Sequence, residues 1–264
     1  MIAILSDIHS NIQALDAVLE DIPKEVSEIW VLGDTVGGMA SNCEVLDRIM
    51  SLSTQVSKIL GNWEENFILA REGKNPEWWS STKLAPLAYT YDALQAHHWN
   101  YIEGLKSTLT IDSIPGSVFL SHAAPWNSQS GVDIEEIAIK ATESRNEKWL
   151  FCGHIHVPKS FRLGKQRVVC VGSVGLALDG IGGMACYALL DGDKITFRHI
   201  DYDVDTAIRE LENSELSKCA PGFVMANKMA LATGKNYVSV LMDFSKAYDG
   251  TWEEAEQAWL ESFK

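Results

Sequence analysis

The chain has 264 residues, 46% of them hydrophobic, with 22 basic against 36 acidic side chains and a formal net charge of −14. Such a composition suits one large globular α/β domain, or a domain with a modest appendage, and excludes wholesale disorder. The negative balance repels polyanions and disfavours a long nucleic-acid track, while a small phosphate ester remains compatible because bound metal ions reverse the sign locally.

The first residues, Met1–Ile2–Ala3–Ile4–Leu5, form an apolar run that reaches Asp7 with no basic stretch before it. They read as a strand rather than a signal peptide. Ile12, Leu15, Leu19 and Ile22 then share one helical face, and Ser10 with Gln13 makes a capping-box pattern ahead of them. A second strand is expected at Ile29–Leu32, followed by a helix carrying Val45, Leu46 and Ile49 behind a Ser41/Glu44 cap, and a third strand at Val56–Leu60. Residues 64–115 are rich in helix formers and aromatics (Trp78, Trp79, Tyr89, Tyr91, Trp99, Tyr101) and read as a helical insertion over the sheet edge. Further strands are expected at Val118–Leu120, Trp149–Phe151, Val168–Val171, Ala185–Leu190 and Ile195–His199. Several are short unbroken apolar runs, the pattern of strands covered on both faces.

From Val204 onward the pattern is helical, punctuated by Pro221–Gly222 and Asp249–Gly250. The expected division is therefore an α/β domain over 1–203 and a helical C-terminal extension over 204–264. The extension reads either as a subdomain or as an element through which two copies associate as a homo-oligomer. No apolar stretch is long enough to cross a bilayer. Cys43, Cys152, Cys170, Cys186 and Cys219 are scattered without a C-x-x-C pair, which points to a reducing cytoplasm.

Five polar clusters follow predicted strands: Asp7–Ile8–His9, Gly33–Asp34, Gly61–Asn62, Ser121–His122 and Gly153–His154–Ile155–His156. In open α/β sheets the loops at the carboxyl ends of strands converge, so these five should meet in one place. Carboxylate, imidazole and an amide oxygen are the donors that a pair of divalent ions requires, and one bridging Asp would fix the ions roughly 3.5–4 Å apart. The glycines before Asp34, Asn62 and His154 allow close backbone approach.

The ordered set D-x-H, G-D, G-N, S-H and G-H-x-H resembles the calcineurin-like metallophosphoesterase superfamily. Leu5–Ser6–Asp7–Ile8–His9–Ser10–Asn11 is similar to its first block. Asp34–Thr35–Val36–Gly37 and Val171–Gly172–Ser173–Val174–Gly175 resemble its small bacterial phosphodiesterase-like branch. The resemblance spans roughly residues 1–200. It implies a four-layer sandwich of two mixed β-sheets flanked by helices, with Asp7, His9 and His156 on one ion, Asn62, His122 and His154 on the other, and Asp34 bridging. Two divalent ions (Mn, Fe, Zn or Ni) would activate a bridging water against a phosphodiester or phosphomonoester in a small or nucleotide-like substrate, with Asp34, Asn62 and His122 as the residues on which catalysis depends.

Two blocks depart from the family pattern. Many members read G-N-H followed by an acid, with that His protonating the leaving group. Here the block is Gly61–Asn62–Trp63–Glu64, and an indole cannot supply a proton at a useful pKa. His97 and His98, adjacent on one helix and expected to point apart, are candidates for one replacement donor, and Trp63 and Trp126 for lining a substrate pocket. The Gly33–Asp34 block also lacks the following Asp-Arg-Gly run of protein phosphatases, which removes an arginine clamp on phosphate. The competing reading is a non-catalytic scaffold of the same fold that binds a partner protein, which Trp63 and the long tail motivate and the complete ligand set opposes.

Overall fold

Ile2–Leu5 (β1) and Glu28–Val31 (β2) carry apolar side chains on both faces, and they pair in parallel with each other and with Gln55–Lys58 (β3). Parallel pairing requires crossovers, and α1 (Ile12–Asp21) and α2 (Asn42–Met50) provide them. The hairpin of β9 (Met184–Asp191) and β10 (Lys194–Asp201) extends this sheet on the other side of β1, for an order of β10-β9-β1-β2-β3. A second five-stranded sheet comprises β4 (Thr108–Ile111), β5 (Val118–Ser121), β6 (Trp149–Cys152), β7 (Pro158–Leu163) and β8 (Gln166–Val171), in the order β4-β5-β6-β8-β7. The structure, a computed structural model, describes all residues except 75–80, 113–115, 124–134, 137, 138, 141, 142 and 144.

Strand alternation divides the core. Ile4, Trp30 and Leu32 point between the sheets and meet Leu120, Phe151 and Val169, whereas Ala3, Leu5, Ile29 and Val31 point outward to Leu15 and Val18 of α1 and Val45 and Ile49 of α2. Each such fully buried Leu, Ile or Val stabilises the fold by about 1.5–3 kcal/mol. The expected sandwich of two mixed sheets flanked by helices is the observed one.

The insertion differs from its expected form. It does contain helices α3 (Asn62–Arg71), α4 (Ala85–Ala93) and α5 (Ala96–Glu103), packed through Phe67, Trp99 and Ile102 on Val36 and Leu46. It also contains β4, which pairs antiparallel with β5. The sequence reading missed β4 and β7 for one reason: both are edge strands, mostly half-buried or exposed, so neither shows a continuous apolar run. The cap of α1 is also shifted. Asn11, not Ser10, caps it by accepting from the Ala14 amide at 3.1 Å. Ser41 does precede α2, but its hydroxyl donates to Glu210 instead of taking an amide of its own helix.

The C-terminal helices are α6 (Val204–Asn213), α7 (Leu216–Cys219), α8 (Pro221–Thr233), α9 (Tyr237–Ala247) and α10 (Trp252–Glu261). Leu211, Leu216, Phe223 and Val224 pack in one apolar cluster with Met39 and Leu176. The tail thus lies directly on the loops at the carboxyl ends of the strands.

Candidate metal centre

Every candidate ligand sits one to four residues past a parallel strand: Asp7 and His9 after β1, Asp34 after β2, Asn62 after β3, His122 after β5, and His154 and His156 after β6. The two sheets bring their carboxyl ends together, so side chains from both converge. Asp7, His9 and His156 offer donor atoms within 4.8 Å of one another, and Asp34, His122 and His154 form a second such group. Asn62 Oδ1 lies 3.0 Å from His122 Nε2 and 2.9 Å from His154 Nδ1, which places it with the second group.

The backbone of these loops is unusual. Asp7, His9, Asp34, His154 and His156 all have positive φ, between 49° and 67°. Left-handed backbone at a non-glycine residue costs free energy and persists where the surroundings over-determine it, commonly at functional sites. The neighbouring glycines make the close approach feasible. A Cβ on Gly61 would overlap the Asp34 carboxylate, and one on Gly153 would overlap Ser6 and Asp7.

Each carboxylate spends one oxygen on the backbone. Asp7 Oδ2 accepts the His154 amide at 2.9 Å, and Asp34 Oδ1 accepts the Trp63 amide at 2.9 Å. The other oxygens face imidazoles. Asp7 Oδ1 is buried without a hydrogen-bond partner, 3.2 Å from His156 Nε2. Asp34 Oδ2 lies 3.3 Å from His122 Nε2 and 3.8 Å from His9 Nε2, so it sits between one ring of each group.

The imidazoles are oriented from behind. His9 Nδ1 faces the Gly37 carbonyl at 3.1 Å, His122 Nδ1 that of Leu32 at 2.7 Å, and His156 Nδ1 that of Leu176 at 2.6 Å. A carbonyl only accepts, so each Nδ1 carries a proton and each Nε2 is the nitrogen turned inward, the orientation seen in metal-binding histidines. His9 Nε2 and His156 Nε2 are 3.1 Å apart. An orphaned buried carboxylate oxygen together with convergent imine nitrogens and an amide oxygen fits divalent cations.

Charge in the cluster is strongly coupled. Burial opposes ionisation of Asp7 and Asp34, but the imidazoles override it: His156 and His122 hold Asp7, and His122 and His9 hold Asp34, below the usual carboxylate range. Burial and the neighbouring His156 push His9 down to about 4. Burial also disfavours charge on His122, yet Asp34 and Asp7 outweigh it and raise this residue to about 10.

Sequence reasoning overlooked three supports. Glu64 is buried, and its carboxylate accepts amides from Thr35 (2.7 Å), Asp34 (2.9 Å), Gly61 (2.9 Å) and Val36 (3.3 Å), which clamps the Asp34 and Asn62 loops together. Burial and the Asp34 charge raise it to about 7. Its place in the G-N-W-E block was visible, and the Gly61 amide is a local partner, but its Asp34, Thr35 and Val36 partners lie some thirty residues upstream and leave no local signal. Ser173 is buried, and its hydroxyl donates to the Asp7 carbonyl at 2.7 Å. Asn227 of α8 donates to the Gly38 carbonyl at 2.7 Å, beside the His9 loop.

The substrate-side candidates separate. Trp63 lines the cavity beside the cluster. Trp126 lies outside the described residues. His97 and His98 do not face the cavity, which corrects the expectation that one of them serves the site. They do not point apart either: both Nε2 atoms lie 3.0 Å from the same Asp47 oxygen on α2, and the Gln95 amide donates to His98 Nδ1.

Residues 1–195 match the calcineurin-like phosphoesterase superfamily domain. The chain belongs to this superfamily. An uncharacterised protein of Methanocaldococcus jannaschii is 26% identical over 234 residues, 82% of this chain and 93% of the relative. Two crystal structures share the fold. A hypothetical protein of Pyrococcus horikoshii has a TM-score of 0.75 at 23% identity, covering 89% of this chain and all of that one. A metallophosphoesterase of Sphaerobacter thermophilus has a TM-score of 0.70 at 24% identity, covering 88% and 99%. The fold shared with these two structures covers more of the chain than the superfamily domain does, so it includes part of the C-terminal helical region.

Proposed function

We propose that the chain is a metal-dependent phosphoesterase acting on phosphodiester or phosphomonoester bonds at a pair of divalent ions. Asp7, His9 and His156 hold one ion, Asn62, His122 and His154 the other, and Asp34 serves both. The observation that carries this reading is the pairing of an orphaned buried Asp7 oxygen with three histidines whose Nδ1 atoms are tied to backbone carbonyls. The donor set suits Mn²⁺, Fe²⁺, Zn²⁺ or Ni²⁺.

Bound ions supply Lewis acidity that neutralises phosphate charge and acidifies the attacking water. The protein orients them: Glu64 fixes the Asp34 loop, Gly37 holds His9 and Leu32 holds His122. Trp63 occupies the position of a proton donor without providing one, which favours alcohols that leave readily. Buried Cys152, Cys170 and Cys186, all unbridged, support a reducing compartment.

Protein loaded with Mn²⁺ is expected to cleave bis(p-nitrophenyl) phosphate with about two metals per chain by elemental analysis, and Asp34→Asn and His122→Ala to abolish cleavage. Metal-replete protein inert toward mono- and diesters alike would overturn the reading and favour the scaffold.

A further inference from the structure

The C-terminal helices build one wall of the cavity into which the metal cluster opens. That cavity has a volume of about 540 Å³, a size suited to a small organic ligand. On the cluster side lie His9, Asp34, Asn62, His154 and His156. The remaining lining includes Trp63 and Leu178 and, from the tail, Phe223 and Val238. The Trp63 ring meets His9 edge-on with centroids 5.9 Å apart, and its centroid lies 6.4 Å from that of Phe223 at an interplanar angle of 48°. The aromatic pair therefore begins directly beside the cluster.

Charge narrows the occupant. Among the described lining residues there is no Lys or Arg. Few polar groups of this wall face an anion: Asn236 Oδ1 caps α9 by accepting from the Ser239 amide, and Asn227 Nδ2 donates to the Gly38 carbonyl, which leaves the buried Asn227 Oδ1, an acceptor, without a partner. An anionic substituent, such as a second phosphate, would enter an apolar wall without a countercharge, in a chain of net charge −14. That is a costly burial. A flat uncharged ring meets aromatic and aliphatic faces and needs no such partner.

We propose that Trp63, Leu178, Phe223 and Val238 form a subsite for an uncharged aromatic group carried by the phosphoester. The subsite rests on the phosphoesterase reading above, and the two are separable by experiment. Phosphonates resist hydrolysis, so calorimetric titration of the full-length, Mn²⁺-loaded protein reads binding independently of turnover. Phenylphosphonate is expected to bind on the order of ten-fold more tightly than methylphosphonate, with 2-carboxyethylphosphonate no tighter than methylphosphonate. Phe223→Leu, with metal content and circular dichroism retained, should reduce the phenyl preference to about three-fold or less. Val238→Lys should raise the affinity for 2-carboxyethylphosphonate above that for methylphosphonate, a gain that misfolding cannot produce. Equal binding of phenyl- and methylphosphonate would overturn the subsite and leave the phosphoesterase reading intact. A preference untouched by Phe223→Leu, or no gain from Val238→Lys, would also overturn it. If neither phosphonate binds, the phosphoesterase reading falls and the subsite with it.

Discussion

At the scale of single residues, the centre depends on division of labour within side chains. Asp7 and Asp34 each give one oxygen to an amide and keep one for the cluster, and Glu64 gives both of its oxygens to amides. Glu64→Gln replaces an acceptor oxygen by a donor facing backbone N–H groups. Residues that orient ligands typically cost 10–100-fold in metal affinity or activity when changed, and a loss of that size is expected here, measurable by metal titration and by kcat/KM. The protonation of His122 gives a second expectation. Asp34 and Asp7 raise it to about 10, so the metal-free protein holds a proton at neutral pH where a cation must bind. Proton and metal compete. Affinity for the second ion should therefore rise with pH, by about ten-fold per unit for one displaced proton, and should level off near pH 10. Calorimetry in buffers of different ionisation enthalpy would detect the released proton; binding that weakens with rising pH would contradict the assignment.

At the scale of elements, strand ends place the ligands and loops of left-handed backbone aim them. β1, β2, β5, β6 and β8 were legible because buried parallel strands are nearly pure apolar runs, and β3, an edge strand of mostly half-buried residues, was legible through Val56 and the buried Ile59 and Leu60 that follow it. The edges β4 and β7 were not, because half-exposed strands tolerate polar residues. Cap positions depended on hydrogen bonds that local pattern does not determine: Ser10 had the capping-box spacing, but its hydroxyl donates to Asn42 Oδ1 at 2.6 Å, and Asn11 took the cap. Asn11 also donates to the Gly175 carbonyl at 2.8 Å. Asn11→Ala should thus destabilise the fold by about 2–4 kcal/mol, the sum of a lost cap and a buried carbonyl left unpaired, as read from the denaturant midpoint. Asn227 acts between elements, since it joins α8 to the glycine loop that touches His9. Asn227→Ala is expected to cost about 1–3 kcal/mol in the same measurement.

At the scale of the whole molecule, the cluster is a joint between the two sheets. Ions held there would bind the folded chain and not the unfolded one. At free metal a hundred-fold above Kd this stabilises the fold by about 2.7 kcal/mol per site. Chelation should accordingly lower Tm, and Asp34→Asn should lower Tm and abolish most of the response to chelator. No described helix is long and apolar enough to cross a membrane.

The seven candidate ligands, the strands of the core and the family resemblance were readable in the amino-acid sequence. Each rests on short-range signals: a polar block directly after an apolar run, in a fixed order along the chain. What only the tertiary structure decided is how distant segments meet. It turned His97 and His98 onto Asp47, revealed Glu64 as the clamp on the Asp34 loop, and brought Phe223 and Val238 of the tail to the cavity facing Trp63. These contacts join residues tens to more than a hundred positions apart through burial and packing, and no local periodicity encodes them.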